Sequence, residues 1–222
     1  MIAEAQLADL IKGAKEPEGQ KKRNFTQSVE LVVAFKDIDV KKGFAINETV
    51  QLPKTSSPAS VCVIAGGDMG QKAKQANADA VVGGDELDGF AANKRESRKF
   101  INKYDFFLAD TQMMPAVGKA LGQLLGPRGK MPTPVPFNAP IESFLERFRS
   151  SIRVRTRASL SISCKIGDET MSDEDLAVNA HAVLGAIERK LPNGEKNVKR
   201  VMVKTSMGRP VKQVQEAKKR FA

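Results

Sequence analysis

Thiol and imidazole groups are scarce in this chain. Two cysteines, Cys62 and Cys164, and one histidine, His181, are all that its 222 residues offer of either. A closed zinc site needs four nitrogen or sulfur ligands, so these three cannot build one. Both cysteines sit in apolar, strand-like sequence, the setting of buried free thiols in a reducing cytosol. No window approaches the ~20 apolar residues of a membrane span. The opening MIAEAQLADL has neither a basic region nor a long apolar run, so no secretory signal is read there. A composition of 41% hydrophobic and 28% charged residues gives no sign of disorder.

Nucleotide signatures also fail on inspection. Gly129-Lys130 invites a phosphate loop, but Leu124 stands where its first glycine belongs and Met131 where its hydroxyl belongs. Pro132, Pro134 and Pro136 then forbid the helix that must follow. VCVIAGGDMG, with Asp85 and Asp88 further on, approaches a dinucleotide fingerprint. Ala65 replaces its first glycine, however, and Asp68 would repel the pyrophosphate. His181, between two alanines in helical sequence, reads as a structural histidine. Five acids crowd DETMSDED, from Asp168 to Asp175, where a helix start explains them by capping and dipole effects. No nucleophile–base pair emerges, and no cofactor is implied.

What the chain does have is positive charge: 36 Lys+Arg against 26 Asp+Glu, net +10. Residues 1–57 hold 9 basic and 8 acidic residues, and residues 58–147 hold 11 and 10. From Phe148 onward there are 16 basic and 8 acidic residues, so one third of the chain carries most of the surplus. A dedicated surface for a polyanion is the expectation, with a membrane surface the alternative on charge alone.

Patterning divides the chain. The central block alternates strands and helices: SVCVIAG, QKAKQANA, ADAVVGG, DELDGFAANKRESRKFINKY, DFFLAD, then MMPAVGKALGQLL. Such repeats predict a small parallel sheet flanked by helices. The flanks alternate residue by residue instead. In QSVELVVAFK, Val29, Leu31, Val33 and Phe35 share a face; in SSIRVRTRASLSISCKIG, Leu160, Ile162, Cys164 and Ile166 oppose Ser159, Ser161, Ser163 and Lys165. VKRVMVKT is a third such run, and between the last two lies a helix capped by Ser172 and closed by Arg189-Lys190. This predicts an antiparallel sheet packed on one face. The fold class is therefore α/β in two domains. Residues 1–57 and 150–222 form a discontinuous α+β domain with a mainly antiparallel sheet, and 58–149 an inserted Rossmann-like three-layer domain. Two chain crossings make a paired hinge. One fused domain with a mixed sheet is the alternative.

Two places suit nucleic acid. Arg153, Arg155 and Arg157 form a row along an extended segment, spaced to follow phosphates or simply to face solvent. Lys199, Arg200, Lys204 and Arg209 add charge nearby. KTSMGRP, Lys204 to Pro210, combines small hydroxyl residues, Gly208, flexible Met207 and flanking cations, which fits folded RNA better than duplex DNA, or is merely a strand-ending turn. Phe25, beside Lys21, Lys22 and Arg23, would stack on a base or fill the core.

MPAVGKALGQLLGPRGKMPTP resembles the signature segment of the L-one family of large-subunit ribosomal proteins. KTSMGRP resembles its RNA-contacting turn and NFTQSVELVVAF its first strand. INETVQLP and TSMGRP are similar to the archaeal branch. The resemblance implies a non-enzymatic protein, monomeric when free and present in one copy per large subunit. It implies binding to a stem-loop region of large-subunit ribosomal RNA, in a mobile lateral stalk that helps deacylated tRNA leave the exit site. Repression through its own messenger RNA is also implied, with a cytoplasmic, ribosome-associated location. RNA contacts would centre on Phe25, Ser28, Glu30, Ser206, Met207 and Gly208. Thr205 goes with the turn; Lys165 and Lys204 are added for their charge and position. Asn24 stands where the family commonly has a basic residue, and Ser206 where threonine is common. Gly126-Pro127 is expected to stop the third helix, while Arg128 and Lys130 either shape the loop or meet RNA. The rivals are a nucleotide-dependent enzyme and a general RNA chaperone.

Overall fold

A strand sends alternate side chains to opposite faces, and β1 (Ser28–Phe35) buries every second residue: Val29, Leu31, Val33 and Phe35. This computed structural model describes residues 4–16, 23–38, 44–137, 139–156 and 159–212. The chain forms two units, Met1–Ser57 with Ile152–Ala222, and Pro58–Ser151.

In the first unit β1 lies between β8 (Ser161–Asp168) and β9 (Val198–Thr205), with β10 (Val211–Lys212) outside β9. All these pairs are antiparallel. Leu31 sits between Cys164 and Val203, and Val33 between Ile162 and Val201, so one face is continuously apolar. Helices α1 (Glu4–Lys15) and α7 (Asp173–Lys190) supply the apolar residues that meet it, among them Leu7, Ile11, Leu176, Val183 and Leu184. Ser172 caps α7 by accepting the Asp175 N–H at 3.1 Å, as its sequence position predicts. Strands β2 (Asn47–Gln51) and β7 (Ser151–Arg155) form a separate pair.

One irregularity decides what the open face carries. Glu30 pairs with Lys165 but Val29 with Gly167, so β8 holds one extra residue, and Ile166 and Gly167 are both buried. This bulge reverses the alternation and turns Asp168 outward. A Cβ on Gly167 would lie 2.5 Å from Leu176 Cδ2 and 2.6 Å from Met171 Sδ, so the bulge has room only for glycine without repacking.

The second unit is a parallel sheet in the order β4 (Ala80–Val82), β3 (Val61–Ile64), β5 (Phe106–Asp110), β6 (Thr133–Val135). Alternation again sorts the layers. Val61, Val63, Phe106 and Leu108 meet α2 (Gly67–Gln75) and α6 (Ile141–Arg149) through Met69, Ala73, Leu145 and Phe148. Cys62, Ile64, Phe107 and Ala109 meet α3 (Gly84–Ala92), α4 (Lys94–Lys103) and α5 (Met114–Arg128) through Leu87, Ile101, Val117 and Leu121. The two-part α/β fold expected from sequence, one sheet antiparallel and one parallel and three-layered, is present. Both cysteines are buried free thiols, and burial pushes each pKa up to about 12.

Three local expectations are corrected, and one strand is added where only the lack of a helix was expected. DELDGFAANKRESRKFINKY makes two helices, because Asn93 breaks the run and caps α4 by accepting from the N–H groups of Arg95 and Glu96. Helix α5 runs through Gly126-Pro127, since glycine has no Cβ to clash with the following ring, and stops at Gly129 (φ 68°). The proline-rich stretch contributes β6, an edge strand where Pro134 is tolerated. Leu160 lies one residue outside β8 and is 43% exposed instead of joining the core. Beside Gly129, Lys130 Nζ donates to the carbonyls of Ile101 (3.1 Å) and Tyr104, neutralising the end of α4.

Asn179 on α7 is fully buried. It accepts the Lys54 N–H at 3.0 Å and donates to the carbonyls of Lys54 (2.6 Å) and Ile166 (2.8 Å). Asn179→Leu keeps the volume but strands these partners, and should destabilise the first unit by about 3 kcal/mol. A urea titration should show that unit unfolding at lower denaturant; an unchanged midpoint would refute the clamp.

Candidate nucleic-acid interface

The turn after β9 is built by backbone bonds. The Gly208 N–H donates to the Thr205 carbonyl at 3.0 Å, and the Ser206 N–H to the Ser28 carbonyl at 3.0 Å. The Ser28 and Ser206 hydroxyls are 2.7 Å apart, and the Met207 N–H donates to Gln27 Oε1 at 3.2 Å. The turn is thus fixed to the start of β1, with the Met207 side chain 57% exposed. Thr205 pairs with Val29 and is buried, so it closes the turn from the core side.

One step along the open face, cross-strand register sets Glu30 between Lys165 on β8 and Lys204 on β9. Lys204 Nζ reaches Glu30 Oε2 at 3.1 Å, and the Ser163 hydroxyl donates to the same oxygen at 3.4 Å. Lys165 turns to Asp168 Oδ1 at 2.7 Å and donates to the Ser57 hydroxyl at 3.1 Å. The Ser56 hydroxyl donates to Asp168 Oδ2 at 2.7 Å. Partial desolvation raises the Asp168 pKa, but hydrogen bonds from Lys165 and Ser56 and the Lys165 charge outweigh it, and the net shift is downward. Each lysine therefore has a carboxylate that fixes its position while its ammonium stays partly accessible.

Ser28, Glu30, Lys165, Lys204, Ser206, Met207 and Gly208 are brought to one side of one sheet and its end. Phe25 stands three residues before β1 and is 53% exposed, outside any core. Gln27, Ser163 and Asp168 join this group without having been read from sequence. Gln27 was readable as the neighbour of Ser28, whereas Asp168 depends on the bulge. The two described members of the arginine row lie two apart along one extended strand, as expected, but away from the turn and the main sheet. Arg153 and Arg155 lie half-buried on β7, which pairs with β2 and not with the main sheet. Arg157, Lys21 and Lys22 lie outside the described residues. His181 has Nδ1 3.7 Å from Glu4 Oε1, and Asp173 pairs with Lys15 at 2.6 Å, so these groups serve α1–α7 packing. The two glycine loops after β3 and β4 start helices α2 and α3 without side-chain caps.

The chain matches the model of the Ribosomal protein L1p/L10e family over residues 15–209. A protein of Cenarchaeum symbiosum (strain A) named large ribosomal subunit protein uL1 is 71% identical, covering 96% of this chain and 98% of its own length. Proteins of the same name from Thermofilum pendens and Methanothermobacter thermautotrophicus are 46% and 40% identical, covering 96% and 91% of this chain and 94% and 96% of their own.

The lowered Asp168 pKa contributes stability that is fully present above the unfolded value of 3.8 and lost as pH falls through the folded value. Asp168→Asn should remove this portion of the acid destabilisation. Melts of both proteins from neutral pH to below 3.8 should converge on acidification; parallel curves would show that Asp168 is not held ionised by its neighbours.

Proposed function

The chain belongs to the Ribosomal protein L1p/L10e family, of archaeal type, and from that premise we propose that the open face of its first unit binds a stem-loop region of large-subunit ribosomal RNA. It is a structural protein of the large ribosomal subunit and not an enzyme. The observation that carries the RNA reading is the corner where the Ser28 and Ser206 hydroxyls meet beneath an exposed Met207. Hydroxyls there meet ribose and phosphate oxygens, and Met207 and Phe25 offer apolar contact to bases or sugars. Lys165 and Lys204, held by Asp168 and Glu30, supply charge at fixed positions.

In this reading the first unit is the RNA grip, and the unit Pro58–Ser151 is carried with it in a lateral stalk near the tRNA exit site. The stalk assists release of deacylated tRNA. The same corner takes a similar stem-loop in the protein's own messenger RNA and represses its translation. The free protein is a monomer, one copy enters each large subunit, and it works on ribosomes in the cytoplasm. A sequence-blind chaperone would instead show only the salt-dependent attraction expected of net charge.

Met207→Asp tests the corner. Burying a methionine side chain is worth about 1.5–3 kcal/mol, so the variant should lose roughly tenfold to a hundredfold in affinity for the stalk-region RNA fragment. Wild type should prefer that fragment over a shuffled RNA of equal length at moderate salt. Equal binding of both RNAs by both proteins would overturn the reading.

A further inference from the structure

The sulfur of this chain is unevenly placed. Of the methionines among the described residues, Met69 is buried, and Met113, Met114, Met171 and Met202 are half-buried. Only Met131, 44% exposed, and Met207, 57% exposed, stand out into solvent. Peroxide oxidises an accessible thioether to a sulfoxide. Cysteine is the usual competitor, but it reacts as the thiolate. Cys62 and Cys164 are buried, and burial pushes both pKa values up to about 12, so neither presents a thiolate to water. Among the described residues, the sulfur that an oxidant meets is therefore that of Met131 and Met207.

The turn holds Met207 outward. Its N–H donates to Gln27 Oε1 at 3.2 Å, and the N–H groups before and after it donate to the Ser28 and Thr205 carbonyls. Thr205 fills the core side of the turn. Met131 instead lies in the segment between α5 and β6 of the second unit.

We propose that Met207 is a reversible oxidation site, through which peroxide switches off RNA binding by protein that is not yet on RNA. The thioether sulfur attacks one oxygen of hydrogen peroxide; the O–O bond breaks and an S–O bond forms. The departing hydroxide takes the proton of the transferred oxygen and leaves as water, so sulfur loses two electrons and the peroxide gains them. A dithiol reverses the step, becoming a disulfide while the sulfoxide oxygen leaves as water. Oxidation puts a polar S–O group where the corner offered apolar surface. Pressed against a base or sugar, that group gives up its water. The donors of the turn are already engaged, the Ser28 and Ser206 hydroxyls with each other and the N–H groups with Ser28, Gln27 and Thr205. RNA seated on the corner covers the sulfur, so bound protein is spared and the unbound pool is switched. This rests on the RNA reading of the Ser28–Ser206 corner.

The test uses the full chain, partly oxidised with hydrogen peroxide, freed of peroxide and mixed with a limiting amount of stalk-region RNA fragment. Bound and unbound protein are separated, and peptide mass spectrometry reads each methionine in both. Met207 sulfoxide should be depleted about tenfold in the bound fraction, while Met131 sulfoxide divides evenly. A methionine sulfoxide reductase with dithiothreitol should restore the lost binding. With RNA added before peroxide, oxidation of Met207 should slow and that of Met131 should not. Even division of Met207 sulfoxide would overturn the inference, as would equal depletion of Met131 sulfoxide, no recovery on reduction, or Met207 oxidation as fast with RNA as without. Met207→Asp, titrated alongside, separates the two claims. If it binds the fragment weakly while Met207 sulfoxide divides evenly, the corner reading stands and only the switch fails. If it binds as wild type does, the corner reading itself has failed.

Discussion

Burial of one face of the sheet around β1 is the constraint from which the rest of the first unit follows. Val29, Leu31, Val33 and Phe35 are withdrawn from water with their partners on β8 and β9. Helices α1 and α7 supply the apolar side chains that complete this core. Period-two geometry then leaves Ser28, Glu30 and the cross-strand lysines no choice but the other face. The hydrophobic core thus positions polar groups it never touches. At the bulge, Ile166 and Gly167 both stay inside, and this single extra residue turns Asp168 out to hold Lys165. A one-residue change in register at that point would exchange a fixed lysine for a loose one.

The two units answer different problems with the same rule. In the second, alternation feeds two apolar faces, and helices cover both. With both faces of the sheet used up, exposed chemistry has to come from helix surfaces, loops and strand ends. In the first, one face of the sheet remains available for a partner. Charge follows this division, since residues from Phe148 onward hold twice as many cations as acids while the central block is nearly balanced. The exception within the second unit is α4, whose cations are concentrated on one side of one helix.

Much of this was legible in the chain because it depends on local rules. Alternation in QSVELVVAFK and VKRVMVKT, and the Ser172 cap of α7, require no knowledge of distant residues. So did the failure of Gly129-Lys130 as a phosphate loop. Other features were hidden because they depend on contacts far apart in sequence. The break at Asn93 competes with a continuous helical pattern and wins by capping. Pro134 enters a strand only because β6 is an edge. The bulge at Ile166–Gly167 is set by Met171 and Leu176 and by the register with Val29. Within the site, the turn residues could be named from their resemblance, yet the pairing of Ser28 with Ser206 across 178 residues needed the fold. Thr205, grouped with that turn by sequence, lies on its buried side.

The central claim is that the open face of β8, β1 and β9 is the face that meets RNA. Lysine acylation of the full chain, read by mass spectrometry with and without the stalk-region RNA fragment, tests it most directly. Lys165 and Lys204 should be protected by the fragment, while exposed Lys190, on α7 and paired with Glu48, should react as in the free protein. Protection of Lys190 with Lys165 and Lys204 still reactive would place the RNA elsewhere and contradict the account.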